Sequence, residues 1–485
     1  MNREIRVALG FTLIVTGILI GIQVSAPRAT AIPAFARKYH TACATCHNNW
    51  PELNDFGLAF KENGFKFPED NEDFVKEPPL MLGAQAQKEA FPHAIWPGEL
   101  PILPIAFRYS GYFTYTSPQP NPVIVASGFV PQTEIFQPNT FTIISASSLG
   151  PSLEFWIDDD ISTGGTGTGG GLGDAYLKAN NFVGYYLHVP KNDLNVRYGQ
   201  FELDIPFTQA RTINLTNYAI YDETAVAPAP GTTNNPFTFA SPQHGLEFGG
   251  FPHKGYSWWT VTVLDGENAQ YGSPVPIASR NSKDIYVNLW QSFNLERDPA
   301  VRKEIQASGP TGIHDHTEIR LNAFGYYGDN ELNQGGVLYP NAPVLHEPFY
   351  RAGGAFDYKF RGDFELWGLY EHARDANKTL NAGNTGYLSA TPVTYSGGFA
   401  EAEYWFYPWL IGLMRYDGVN SPTDRMLGVS RYDTRNIYSP GLQVLVRPNI
   451  KIETQYSYSY QQPVPGTTTQ FYRQNQLLAG IDFVY

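Results

Sequence analysis

The segment "IKIETQYSYSY", residues 450–460, alternates without a break: Ile450, Ile452, Thr454, Tyr456, Tyr458 and Tyr460 fall on one face, and Lys451, Glu453, Gln455, Ser457 and Ser459 on the other. A period of two is that of a β-strand. "FYRAGGAFDYKF", residues 349–360, does the same, setting Ala352, Gly354, Phe356, Tyr358 and Phe360 against Arg351, Asp357 and Lys359. Such a pattern suits a soluble sandwich or a membrane barrel equally well, so the connections between segments have to decide.

From Pro104 onward about 16 segments of this kind recur, an even number as outer-membrane barrels require. They lie near 104–116, 139–147, 151–159, 173–188, 194–203, 244–251, 256–265, 283–292, 316–327, 349–360, 363–372, 395–406, 409–417, 433–446, 450–460 and 471–485. Links such as "SLG", "PKND", "PHKG", Arg361-Gly362, Tyr407-Pro408 and "RPN" are short, whereas 117–138, 204–243, 266–282, 328–348 and 373–394 are long. Short periplasmic turns and long external loops are the asymmetry of a transmembrane barrel. The exception is 293–315, which strand parity places in the periplasm as a docking helix or as two overlooked strands. The chain ends "LLAGIDFVY", an aromatic-terminated final strand of the outer-membrane kind.

Alternation assigns Glu154, Asp158, Lys178, Arg197, Arg351, Asp357, Lys359, Glu365, Glu401, Glu403, Arg415, Asp417 and Lys451 to the inward face. The expected fold is therefore all-β, an antiparallel transmembrane barrel over 104–485. Composition agrees: 31 Tyr, 31 Phe and 46 Gly stand beside only 16% charged residues, a profile that favours strands and turns. A net charge of -13 excludes a nucleic-acid surface, which must be basic. No nucleophile elbow, zinc helix or phosphate loop is present.

Residues 1–31 read as a signal peptide, with a retained membrane anchor as the alternative. Arg3 and Arg6 precede the apolar run Val7–Val24, and Ala29-Thr30-Ala31 fits small-x-small cleavage near Ile32. Between signal and barrel, 32–103 contains both cysteines of the chain in "YHTACATCHNNWPEL", residues 39–53. Cys43-x-x-Cys46-His47 is the c-type haem attachment signature: two thiols for the vinyl groups and an adjacent imidazole as proximal iron ligand. A redox dithiol is the alternative. One motif means one covalently attached haem c. Leu53, Phe56 and Phe60 predict a short amphipathic helix ending at Gly64, and the distal-ligand candidates are Met81 and His93.

Two further features read as solvated surface, with a metal site as the alternative in each: Asp158-Asp159-Asp160 at the outer end of a strand as an acidic loop, and "HDH" at His314 to His316 as a turn that topology places in the periplasm.

"IPAFARKYHTACATCH", then "PELNDFGLAFKENGFKFP" and "WPGELP" before a β-rich region, resembles the fused outer-membrane monohaem cytochrome-porin family of the iron-oxidising type. The resemblance is sharp over the N-terminal segment and one of pattern over the barrel. It implies a small α-helical c-type haem domain inside the lumen, in the bacterial outer membrane. That domain would take electrons from extracellular Fe(II) and pass them to a periplasmic c-type cytochrome. Only Cys43, Cys46 and His47 carry over from it. Such a protein is an enzyme only if iron(II) oxidation counts as its reaction. The alternatives are a solute porin with a haem-based gate or sensor, and a conduit exporting electrons to external acceptors.

Overall fold

The structure is a computed structural model. It describes residues 34–67, 80–81, 89–90, 99–100, 104–116, 132–134, 139–149, 152–162, 171–181, 187–208, 211–223, 237, 239, 241–266, 282–308, 316–329, 346–376, 378–380, 387–390, 392–420, 435–460 and 475–485. The signal-peptide reading and His93 lie outside these residues.

Sixteen long strands form one closed barrel. They are β1 (Ile105–Thr116), β2 (Asn139–Ser148), β3 (Leu153–Ser162), β4 (Leu172–Ala179), β5 (Asn195–Phe201), β6 (Gln243–Gly250), β7 (Ser257–Leu264) and β8 (Asp284–Asn294). The second half is β9 (Glu318–Asp329), β10 (Pro348–Phe360), β11 (Phe364–Asp375), β12 (Val393–Tyr407), β13 (Leu410–Asn420), β14 (Arg435–Arg447), β15 (Ile450–Tyr460) and β16 (Gln476–Val484). Each is antiparallel to its sequence neighbours, and β16 closes on β1 from Gln476↔Thr116 to Val484↔Arg108. A three-residue piece, Gln132–Glu134, pairs with the outer end of β1. Every segment read from alternation overlaps one of these strands. The fourth is shorter than expected, ending at Ala179 rather than near 188.

The two faces of the wall differ as alternation predicts. Ile157, Leu177, Leu246, Val263, Ile285, Leu289 and Leu321 are exposed on the outside, while all thirteen charged residues assigned inward lie on the lumen side, with Glu154, Arg351, Glu401, Arg415 and Lys451 buried. An apolar exterior around a closed, edge-free sheet is the outer-membrane solution to satisfying backbone polar groups in lipid. The protein is thus an outer-membrane β-barrel. Among the described residues no helix is long and apolar enough to cross a membrane. Phe360, Tyr404, Phe406, Tyr407 and Trp409 are exposed at the end with the short turns, where an interfacial aromatic girdle belongs. The 293–315 connection is resolved by the structure in favour of a helix, α3 (Pro299–Ser308).

Two segments of the chain occupy part of the lumen. At the short-turn, periplasmic end sits the N-terminal segment: helix α1 (Ala34–Tyr39), a tight turn, a hairpin of His47–Asn49 with Glu52–Leu53, and helix α2 (Asp55–Glu62). Asn54 caps α2, its side chain accepting from Gly57 N, and Gly64 takes the left-handed conformation just past its end, at φ +78°. Leu53 belongs to the hairpin, not the helix. Phe35, Tyr39, Phe60, Phe65 and Phe67 stack into a small core against Trp156 of β3.

The connection after β5 is the main departure from expectation. The chain at 202–208 and 211–223, most of it read as an external loop, instead turns into the barrel, with Leu203, Ile205, Ile213, Tyr218 and Ile220 fully buried. Their backbone is satisfied by the wall: Arg415 donates to Thr216 O, Arg435 to Ala219 O, and Asp417 accepts from Ala219 N. Asn214 and Tyr218 donate to Glu401. Inward charges that an open porin would leave wet are here the partners of a lumenal plug.

Candidate haem cavity in the barrel lumen

The Cys43–His47 turn is held by its neighbours in sequence. Asn54 N donates to Cys46 O at 3.0 Å, and Asn54 Nδ2 donates to Thr45 O and Ala44 O at 3.2 and 3.3 Å. One asparagine therefore caps α2 and braces the turn. Gly57 packs α2 directly on that turn: a Cβ there would lie 2.0 Å from Cys46 O. Glycine is required by this close approach.

Both cysteines are free thiols and only partly exposed. Burial pushes the Cys46 thiol up to about 12 and raises Cys43 as well. A reactive dithiol needs the opposite, a lowered pKa. His47 Nδ1 lies 3.2 Å from Glu52 O. A carbonyl can only accept, so Nδ1 carries the proton and Nε2 keeps its lone pair for a metal. Burial holds the imidazole down to about 4, in the neutral state a ligand requires.

Cys43, Cys46 and His47 all line one cavity of about 780 Å³, within the range of sites for small molecules and cofactors. Phe207, Trp290 and Trp367 form an apolar wall of it, with Phe207 stacked on Trp367 at 5.4 Å. The donor set, free thiols, neutral imidazole and one apolar wall fit a covalently held haem. His47 is the only histidine among the described residues lining the cavity, and no methionine lines it there. Met81 falls in a two-residue strand, Leu80–Met81, paired with Glu99–Leu100, and its side chain is outside the described residues. His40, on the attachment side of the motif, is exposed and does not line the cavity.

The segment is tied to the wall by charge. Lys178 Nζ meets Glu62 at 2.5 Å, Lys451 Nζ donates to Trp50 O at 2.8 Å, and Arg37 Nη2 to Ile105 O at 2.9 Å. Trp50 lies between Arg108 and Lys451, at 4.3 and 4.9 Å from its ring centre. Asp55, the first residue of α2, pairs with Arg320 and lies 3.7 Å from Lys359.

The other candidate sites come out differently. Asp158 and Asp160 face inward and line the same cavity, with Asp174 and Glu202 beside them, whereas Asp159 is on the outer face. His314 and Asp315 lie outside the described residues. His316 is not in a solvated turn: it is buried, 3.2 Å from Glu318 and grouped with Asp55. Arg320 already neutralises that group, 2.6 Å from Glu318 and paired with Asp55. The partners of His316 are a wall residue and a helix residue 261 positions away, which local spacing does not reveal.

No protein-family model matches the chain, and no curated protein does. Solved structures resemble it weakly. The anion-selective porin from Comamonas acidovorans is 11% identical, with 79% of this chain and 98% of that one covered at a TM-score of 0.48. Salmonella typhi OmpF, solved with daunomycin, is 10% identical, with 79% and 97% covered at 0.46. Pseudomonas putida OprB is 10% identical, with 79% and 94% covered at 0.45.

Proposed function

We propose that this barrel is an electron conduit of the outer membrane. One haem c is held by Cys43 and Cys46 with His47 as proximal ligand, extracellular Fe(II) is the electron donor, and a periplasmic c-type cytochrome is the acceptor. The observation that carries this reading is the convergence of both thiols and the Nδ1-protonated His47 on a single lumenal cavity near the periplasmic end. A haem there supplies a reversible one-electron couple whose potential the protein sets through ligation and burial.

The chain's own residues have three tasks. Asn54 and Gly57 position the attachment turn. Phe207, Trp290 and Trp367 keep one wall of the cavity apolar. The carboxylates Asp158, Asp160, Asp174 and Glu202 give its far side hard oxygen ligands suited to a ferrous donor.

A solute porin with a haem-based gate is the second reading, favoured by the barrel itself. Against it stand the two plugs, since a barrel of this size leaves a water channel only if its lumen is open.

The test is anaerobic stopped-flow mixing of the oxidised, haem-loaded protein with ferrous ion, beside a redox titration. A positive midpoint with fast haem reduction supports the conduit. A strongly negative midpoint without reduction sinks iron(II) oxidation and leaves electron export or a gated porin.

A further inference from the structure

Lys61, in the last turn of α2, lines the haem cavity. The cations around it are engaged. Lys178 holds Glu62 at 2.5 Å and Glu154 at 3.7 Å, Arg197 holds Asp204 and Glu247 at 3.3 and 2.7 Å, and Arg211 holds Asp204 and Glu202 at 3.4 and 3.8 Å. The Lys61 ammonium has no ion pair or hydrogen bond among the described residues. A second unsatisfied group faces the same space: Thr208 Oγ1 is buried, with the residue only 1% exposed, has no hydrogen-bond partner, and lines the cavity. A buried hydroxyl without a partner is costly, and together with a half-buried ammonium that has no ion pair among the described residues it marks a missing acceptor.

We propose that Lys61 and Thr208 form the carboxylate subsite of the cavity and receive the propionate side chains of the haem. This rests on the haem reading above. Lys61 supplies a point charge and Thr208 a hydroxyl donor, complementary partners for a carboxylate. Burial lowers the pKa of Lys61 from its ordinary value, a penalty that an anionic partner removes. The assignment also gives the inturned loop a role. Thr208 belongs to that loop and Lys61 to the N-terminal segment, so the propionates would join the two plugs.

The test uses the full-length, haem-loaded protein in detergent, with Lys61→Gln, Lys61→Arg and Thr208→Val compared with the exposed-lysine variant Lys303→Gln. Covalent haem is measured after denaturation, barrel folding by heat-modifiable gel migration, and the midpoint by equilibrium titration. A propionate left without its cation favours the ferric state. Lys61→Gln should therefore raise the ferric-to-ferrous ratio at a fixed potential about tenfold, a midpoint lower by about 59 mV. Lys61→Arg should restore most of this, and Lys303→Gln should leave it unchanged. Thr208→Val should shift the propionate bending band in resonance Raman, a readout that stands even if Lys61→Gln fails to fold. Full haem attachment with an unmoved midpoint and unmoved propionate band would overturn the inference alone. No covalent haem in the natural chain would overturn the proposed function with it.

Discussion

At the scale of single residues, the attachment motif is a matter of three positions in sequence and of two more that hold them. Asn54 joins two tasks that substitution can separate. Asn54→Asp keeps an oxygen for the cap but loses the donors to Ala44 O and Thr45 O, whereas Asn54→Ala loses both and should cost about 1 kcal/mol for the cap alone. Haem attachment per folded barrel, measured by haem absorbance against heat-modifiable protein, should fall in both variants and fall further in Asn54→Ala. Equal attachment in all three proteins would show that the asparagine does not position the turn. Gly57→Ala drives a methyl group into Cys46 O. It should cost about 1–3 kcal/mol as an overpacking change and reduce attachment more than Ala59→Gly, which opens space in the same helix.

At the scale of elements, the strands were legible because lipid and lumen impose opposite chemistries on alternate residues. This is why 450–460 and 349–360 could be assigned face by face. The short helix α2 was legible from Phe56 and Phe60, and the proposed attachment site rests on the spacing of Cys43, Cys46 and His47. The inturned loop was not legible. Ile213, Tyr218 and Ile220 follow no period, and their partners Glu401, Arg415, Asp417 and Arg435 lie some two hundred residues away. A run rich in Pro, Thr and Asn therefore reads as an outer loop. Asn54 and Gly57 were hidden for a related reason, because close backbone approach leaves no signature in a single sequence. The loop carries its own prediction. Replacing residues 206–239 by a short Gly-Ser turn should raise single-channel conductance in planar bilayers several-fold over the natural protein. Unchanged conductance would mean that the loop does not seal the lumen. The seam between α2 and the wall carries another. Asp55→Ala leaves the mostly buried Arg320 with fewer partners, a change of about 3 kcal/mol in the manner of broken buried pairs. Protease cleavage within the haem segment should become faster while the barrel stays intact.

At the scale of the whole molecule, a membrane wall surrounds two plugs: a periplasmic segment bearing the haem motif, and a loop that enters from the opposite end. The wall is tested on its lipid face. Leu289 sits midway along β8 and is 52% exposed. Leu289→Arg should cost about 2–4 kcal/mol in vesicle unfolding titrations, and a neutral effect would argue against lipid at that position. The plugs are tested by what crosses. With both plugs in place, electrons rather than iron should pass from one side to the other. The most direct measurement reconstitutes the haem-loaded protein, inserted with its long loops outward, in vesicles that enclose an oxidised c-type cytochrome, and adds ferrous ion outside under anaerobic conditions. Reduction of the enclosed cytochrome, dependent on Cys43 and Cys46 and without iron in the vesicle interior, is the predicted result. No reduction, or reduction only in step with iron entry, would contradict the account.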